Sequence, residues 1–348
     1  MLAYVAKRLL LMIPTLVGIL LVSFVIIQFV PGGPVEQLVR ELRGGVGGGE
    51  VAATGGYRGA QGVDPKQIEE IRRMYGFDRP AHERFLTMLR NYAVFDLGTS
   101  YLHHKSVWAL IVEKMPVSIS LGLWSFLLVY AVSIPLGIAK AVRHGSRFDL
   151  WTSVAILVGY AIPGFVLGVL LLVLFGGGSF WQIFPLRGLT SDDFDQLSLA
   201  GKVLDYFWHL AMPLACLVVG SFAVTTMLTK NTFLEEIRKQ YVLTARAKGL
   251  SERRVFYKHV FRNALIPLVT AFPAAFIGAF FTGSLLIETL FSLDGLGLLS
   301  YEAVIRRDYP VVLGTLYVFS LLGLVAKLLT DLAYTWVDPR VKFTAGAR

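Results

Sequence analysis

Long apolar runs without a single charge are the feature that most limits what this chain can fold into. The first run covers residues 9–30 and, as a helix, extends about 33 Å, enough to cross the hydrocarbon core of a bilayer. Because hydrocarbon offers no hydrogen-bond partners, a spanning backbone must satisfy its own polar groups, as a helix does. Only 16% of the residues are charged, against about 25% in an average soluble domain. The sequence therefore predicts an all-α membrane protein.

Five further apolar runs complete a prediction of six transmembrane helices, at residues 117–139, 149–175, 207–228, 264–291 and 311–335. Several runs contain prolines, which favours kinked helices supported by their neighbours: Pro14, Pro135, Pro163, Pro213, Pro267 and Pro273. The first run could instead be a cleaved signal peptide. It is longer than the usual apolar core of about 7–15 residues and ends in PGGP rather than a small-residue cleavage pattern, so we predict that it is retained.

Positive charge is concentrated in alternate connecting segments, which predicts the orientation of the chain. Residues 229–263 contain nine Lys or Arg against three Glu, whereas 176–206 and 292–310 are balanced or acidic. The positive-inside rule therefore places four segments in the cytoplasm, including both termini: 1–8, 140–148, 229–263 and 336–348. The net charge of +9 reflects this topology, and we expect no nucleic-acid partner.

The segment after the first run, residues 31–116, is too long for a simple loop. Residues 44–62 contain nine glycines and predict a flexible linker. Asp64 and Pro65 are typical of a helix start, and a second, amphipathic helix is predicted over residues 80–94. This insert is either a small cap on the membrane bundle or a docking surface or lid for a substrate. The predicted organisation is thus a first transmembrane helix (1–30), the long outer segment (31–116), a bundle of five transmembrane helices (117–335) and a cytoplasmic tail (336–348).

Several chemistries find no support in the sequence. No stretch fits the nucleotide-binding pattern G-x-x-x-x-G-K-[ST], so the chain is not expected to hydrolyse ATP by itself. The adjacent His103 and His104 lack a second ligand pair, and no catalytic, cofactor-binding or metal-binding residues are predicted. Lys327 and Asp331 share a helix face near the end of the last run and are predicted to pair.

The stretch LTARAKGLSERRVFYKHVFRN, residues 243–263, combines six basic residues with one acid. Its pattern predicts a helix, a corner at Gly249 and a second helix capped by Ser251. It could be an ordinary charged loop, but Val255 and Phe256 would still require burial. An element that docks on a cytoplasmic partner explains both the corner and these apolar residues.

These residues resemble the EAA loop of binding-protein-dependent ABC importer permeases. Thr244 and Ala245 stand at the second and third positions of the E-A-A motif, Gly249 at the glycine, and His259 and Arg262 near its end. Leu243 and Arg262 depart from the general pattern but match the dipeptide and oligopeptide branch, where TARAKGLSE and H-x-x-RNA are usual. The segments RRDYP and VDPR, and the first apolar run, are also similar to that branch. The glycine-rich insert and GFDRPAHERF make the chain most similar to Yej-type permeases of peptide and microcin C importers.

The resemblance implies a type I ABC importer permease bundle in the bacterial inner membrane, which imports peptides by alternating access. It implies no cofactor in this chain, with ATP and Mg bound by one or two partner ATPase subunits. Further implied partners are a second, homologous permease, a periplasmic substrate-binding protein, the peptide and membrane lipid. The implied ATPase-coupling residues are Thr244, Ala245, Arg246, Ala247, Lys248, Gly249, Ser251, Arg254, Val255, Phe256, His259, Arg262 and Asn263.

Two other functions are weighed beside this one. A membrane scaffold or receptor would use the charged loop to bind a partner without transport, but it would not need so many prolines in its spans. An ion-coupled carrier would place acids near the bilayer midplane. Glu288 and Asp331 instead lie near the ends of predicted spans, which disfavours such a carrier.

Overall fold

The computed structural model describes residues 2–29, 78–176, 180–281 and 284–337, and within these ranges the fold is helical. A bridge between Thr99 and Ser106 is the one β pairing found there. The predicted linker 44–62, the helix start at Asp64 and Pro65, and the tail from residue 338 lie outside the described residues.

The helices, in chain order, are α1 (Leu2–Phe29), α2 (Ala81–Ala93), α3 (Val107–Val142), α4 (Arg147–Ala161), α5 (Gly164–Leu171), α6 (Leu199–Ile237), α7 (Gln240–Ala247), α8 (Glu252–Arg254), α9 (Phe261–Ala264), α10 (Ile266–Phe281), α11 (Leu285–Leu290), α12 (Leu296–Ile305) and α13 (Tyr309–Val337). Two π-helical segments, Leu172–Gly176 and Val255–Val260, continue α5 and join α8 to α9.

Four helices, α1, α3, α6 and α13, are long and apolar enough to cross a membrane. They contain four of the six runs predicted from the sequence and extend beyond them. The longest, α6, has 39 residues and reaches well past the hydrocarbon thickness, so its last turns form part of the extramembrane structure.

The other two predicted spans are broken helices. α4 and α5 are bent by 89°, and the pair formed by residues 252–264 and α10 by 47°. The first bend follows from Pro163, which lacks an N–H and forces Ile162 into an extended conformation (φ −88°, ψ 117°). Counting each bent pair as one span gives six, the predicted number, and the first break lies at Pro163, where the sequence predicts a kink. The predicted span 264–291 divides into α10 and α11.

The chain forms two compact units. Among the described residues, the first contains 2–8, 113–176, 180–281, 284–299 and 322–337, and the second contains 9–29, 78–112 and 300–321. In the first unit, Leu210, Phe291 and Leu293 belong to an apolar core with almost no exposed surface. There Asp331 accepts hydrogen bonds from Tyr4 (2.9 Å) and Arg8 (2.9 Å) of α1, so the predicted pairing with Lys327, which is exposed, is corrected.

The second unit confirms the amphipathic helix predicted over residues 80–94. α2 rests on α1, because the ring of Phe85 lies 5.3 Å from that of Phe24 and Arg84 donates to the Gln28 amide oxygen at 2.6 Å. The aspartate of RRDYP, Asp308, is buried and accepts hydrogen bonds from the Ser100 hydroxyl and the Tyr101 N–H. One carboxylate thus fixes the turn that precedes α3.

Gly137 allows α3 and α6 to approach each other closely. A Cβ built there would lie 2.6 Å from the Thr229 Cβ and 2.8 Å from the Thr226 carbonyl oxygen. Because the second contact is with backbone, the helices would have to separate to admit a side chain.

We expect Gly137→Ala to lower the free energy of unfolding by about 1–3 kcal/mol through this overpacking. The measurement is the Tm of the purified chain in detergent. Gly323→Ala on α13 is the matched control, since a Cβ there meets no described atom within 4 Å. Equal Tm values for the two variants would contradict the proposed close packing.

Candidate functional site

The candidate site is a corner element, residues 240–264, which follows α6 and leads into α10. Its first helix, α7, ends where Gly249 adopts φ +75°, a left-handed conformation that glycine accepts without strain. The Gly249 N–H donates to the Arg246 carbonyl (2.9 Å) and the Leu250 N–H to the Ala245 carbonyl (3.4 Å). This pair of bonds is a Schellman motif, so the corner predicted at Gly249 is present.

An ion pair bridges the two sides of the corner. Arg246 donates from Nε to one Glu252 carboxylate oxygen (2.8 Å) and from Nη2 to the other (3.0 Å). Both side chains are well exposed, so this pair adds little stability but matches the geometry of the turn. The capping role predicted for Ser251 is corrected: among the described residues its hydroxyl caps no backbone N–H, although its carbonyl accepts from the Val255 N–H at 2.9 Å.

The inner face of the corner element is apolar and packs against the rest of the chain. Its buried residues cluster with Phe233 of α6 and Ala141 of α3, and they are Val242, Ala245, Val255, Val260 and Ala264. Val255 is 1% exposed, so the prediction that it contacts a partner is wrong. The ring of Phe256 is half-buried and lies 5.7 Å from that of Phe233. The apolar residues therefore anchor the element internally.

The outer face carries most of the predicted site residues. His259, like Phe256, is half-buried, whereas the exposed ones are Thr244, Arg246, Ala247, Lys248, Gly249, Ser251, Arg254, Arg262 and Asn263. Arg253, Tyr257 and Lys258 belong to the same stretch but were not among the predicted coupling residues. With Ser251 and Arg254 they line an open depression of about 600 Å³. The spacing of Arg254 and Lys258, four residues apart, could have indicated this shared basic face.

Tyr241 ties the corner element to the end of α6. Its hydroxyl donates to the Glu236 carboxylate at 2.5 Å and lies 3.3 Å from the His259 carbonyl oxygen. Burial, and then the hydrogen bond to Glu236, raise the pKa of Tyr241 to about 12. The hydroxyl therefore stays protonated, and this contact is present throughout the physiological pH range.

The described residues hold no group of three or more His, Cys, Asp or Glu side chains that could bind a metal ion. What they do provide is a mechanical arrangement: a basic outer face, an apolar inner face and a fixed corner on the path from α6 to α10. Such an element suits the transfer of force between a cytoplasmic partner and the membrane bundle.

Comparison with known proteins identifies the class. Residues 133–343 match the family described as "Binding-protein-dependent transport system inner membrane component", and the chain belongs to this family. It is therefore a multi-pass inner-membrane permease whose partners include a substrate-binding protein and ATPase subunits. The predicted fold class, the all-α bundle of an ABC importer permease, is confirmed.

Two relatives match over almost their whole length. The chain is 57% identical to the "Peptidoglycan transport system permease protein YejB" of Agrobacterium fabrum (strain C58 / ATCC 33970), over 98% of each chain. It is 53% identical to the "Inner membrane ABC transporter permease protein YejB" of Escherichia coli O157:H7, over 98% of this chain and 99% of that one. The predicted resemblance to Yej-type permeases is confirmed.

More distant similarities follow. The "Di/tripeptide transport system permease protein DppB" of Pseudomonas aeruginosa (strain UCBPP-PA14) is 33% identical over 98% of this chain and 99% of that one. A solved chain of the MetNI methionine ABC transporter, in an inward-facing conformation, is 17% identical with a TM-score of 0.47. The matched region covers 68% of this chain and 98% of the solved chain.

The left-handed conformation of Gly249 predicts how substitutions there behave. Gly249→Ala places a Cβ in a conformation that costs about 1–2 kcal/mol, whereas asparagine tolerates it better. We expect the Leu250 amide, which bonds the Ala245 carbonyl, to exchange its hydrogen roughly fivefold faster in Gly249→Ala. Hydrogen exchange read by mass spectrometry measures this, with Gly249→Asn as the matched variant. Equal protection in all three proteins would contradict the strained corner.

Proposed function

We propose that this chain is the permease subunit of an ATP-driven importer that carries peptides from the periplasm into the cytoplasm by alternating access. The observation that carries the proposal is the corner element, which is anchored on α3 and α6 through buried apolar residues and presents basic residues outward. Family membership supports the importer class. The names of the relatives support peptides as the substrate.

The two faces of the corner element have different roles in coupling to the ATPase. Its outer residues, with Arg254 and Lys258 at the centre, dock on an ATPase subunit. Its inner residues, Ala245, Val255 and Phe256, pass the resulting movement to α6 through Phe233. This refines the predicted role of residues 243–263: the apolar side chains transmit, and the exposed polar ones bind.

The proposed partner set is the one that the importer class implies. The chain carries no ATP site of its own, and one or two cytoplasmic ATPase subunits bind ATP and Mg. A second, homologous permease completes the translocation pathway as a heterodimer. The basic segments support a cytoplasmic location for both termini and the corner element. In this proposal a periplasmic binding protein delivers substrate to the opposite face.

The bent helices support a moving pathway rather than a static scaffold. α4 and α5 meet at 89°, and a second break precedes α10. Helices interrupted in this way can change angle at the break when one end is displaced, which is the motion that alternating access requires. A receptor that only binds a partner has no need of such breaks.

The substrate class is short peptides, including the peptide part of peptidoglycan fragments and peptide-like antibiotics such as microcin C. Uptake is measured in cells that lack or contain the chain, with a labelled tripeptide and a labelled peptidoglycan fragment. We expect uptake only with the chain present, and loss of uptake when ATP is depleted while the proton gradient is maintained. Uptake that persists without ATP would indicate an ion-coupled carrier. Uptake that does not depend on the chain would indicate that the chain is a scaffold.

Charge reversal on the outer face tests ATPase docking. We expect Arg254→Glu combined with Lys258→Glu to reduce the ATPase recovered with the tagged permease by roughly tenfold or more, because like charges at an interface are strongly unfavourable. Quantitative blotting of the purified complex measures this. Arg187→Glu, an exposed reversal far along the chain, is the control and should leave recovery unchanged. Equal ATPase recovery in both variants would exclude this docking face.

A further inference from the structure

Three charged side chains lie buried together where α3, α4 and α6 meet. Lys140 is fully buried, Asp149 is 5% exposed and Lys230 is 8% exposed. The Lys230 ammonium lies 2.7 and 2.8 Å from the two Asp149 carboxylate oxygens, and the Lys140 ammonium lies 3.1 Å from one of them. Sequence analysis placed both lysines among cytoplasmic loop charges, whereas each belongs to a helix. We call this group the charged joint.

Lys140 and Asp149 each make further hydrogen bonds within the joint. Lys140 donates to the Asp149 carbonyl (2.8 Å), the Thr152 hydroxyl (2.8 Å) and the Ser153 hydroxyl (2.7 Å). The Asp149 carboxylate also accepts from the Gly145 N–H at 3.2 Å. Buried charges persist only where pairing and hydrogen bonds replace water, and this geometry meets that condition. Because these hydrogen bonds require particular donor and acceptor directions, the joint fixes the relative positions of α3, α4 and α6.

The joint adjoins the anchor of the corner element. Lys230 precedes Phe233 by about one turn of α6, and Lys140 is next to Ala141 on α3. Phe233 and Ala141 are the residues against which the inner face of the corner element packs. A displacement of the corner element thus reaches the joint through one turn of helix.

From the joint, α4 and α6 run side by side in opposite directions. A Cβ on Gly159 would lie 2.8 Å from Val219 Cγ1, and one on Gly164 would lie 2.7 Å from the Cys216 carbonyl oxygen. Together with the Asp149–Lys230 pair, the Gly159–Val219 contact holds one antiparallel register along about 15 Å of α4, and the Gly164–Cys216 contact lies just past the Pro163 break. A slip at the joint would shift every pair along that length.

A cavity is lined by α5, which follows α4 at the Pro163 break, and by the middle of α6. It has a volume of about 570 Å³ and lies at the Pro163 break, with Gly164 and Phe165 on one side and Ser221 and Thr225 of α6 on another. α6 therefore contributes to both the charged joint and the cavity, whereas α4 is linked to the cavity through the Pro163 break and α5.

We infer that Asp149 and Lys230 are positioning residues for coupling: their ion pair holds α4 in register with α6, so that movement of the corner element reaches the cavity at the Pro163 break. This inference rests on the proposed importer function. Neither residue lines the cavity. The pair acts by keeping two helices from sliding past each other.

The chain offers a matched pair of variants. Lys230→Met removes the link between α4 and α6 but leaves Asp149 paired with Lys140, without net charge. Lys140→Met makes the same chemical change in the same cluster and leaves the α4–α6 link intact. Lys230→Arg keeps the charge and can donate to both carboxylate oxygens. Lys230→Gln is a milder second variant that keeps an N–H donor without charge.

The experiment uses the complete complex, isolated through a tag on this chain and reconstituted into liposomes with its binding protein. Uptake of a labelled tripeptide and hydrolysis of ATP are both measured per assembled complex. We expect tripeptide imported per ATP hydrolysed to fall roughly tenfold in Lys230→Met. Lys140→Met and Lys230→Arg should stay within about twofold of the unmodified protein, and Lys230→Gln should fall in between.

The outcomes separate the two levels of the proposal. If the unmodified complex shows no ATP-driven uptake of the tripeptide, the proposed function itself is refuted. Normal uptake there, with an unchanged ratio in Lys230→Met, would overturn the positioning role alone. Failure of both Lys230→Met and Lys230→Gln to assemble would also overturn it, because Lys230 would then serve folding only.

Discussion

The carboxylate of Asp149 between two buried ammonium groups is the interaction on which the membrane-embedded part of the first unit depends. A charge removed from water must be paired, so this carboxylate determines where the ends of α3, α4 and α6 lie. The corner element rests on the same helix ends through Phe233 and Ala141. Electrostatic pairing and apolar packing therefore act on one small region, and a force applied to the corner element is delivered there.

Breaks in the helices complete this arrangement. A continuous helix would transmit a displacement along its axis, whereas the 89° bend at Pro163 turns it into a change at the cavity wall. The glycines of α4 and α5 bring their backbones close to α6, which keeps the two helices in register between the joint and the bend. The cost of each break is borne locally, since neighbouring helices satisfy the freed backbone groups. The ion pair and the bend at Pro163 thus lie in different parts of the same chain segment.

Sequence reasoning predicted what depends on local pattern. The runs inside α1, α3, α6 and α13 were found because length and a low density of charge suffice. The corner was found because glycine accepts a positive φ without strain. The direction in which Val255 points was wrong, because periodicity shows that a face is apolar without showing what covers it. The charged joint was missed because Asp149 and Lys230 are 81 residues apart, and no local pattern indicates their pairing.

The central claim is that the corner element and the start of α4 move as one body when the ATPases close. Spin labels at positions 147 and 248, both exposed, report the distance between them after Cys216, the one cysteine of the chain, is replaced by serine. The account predicts that this distance changes by less than about 2 Å between the nucleotide-free and ATP-bound complexes. A shift of about 5 Å, one helical turn, would show that the two elements slide independently and would contradict it.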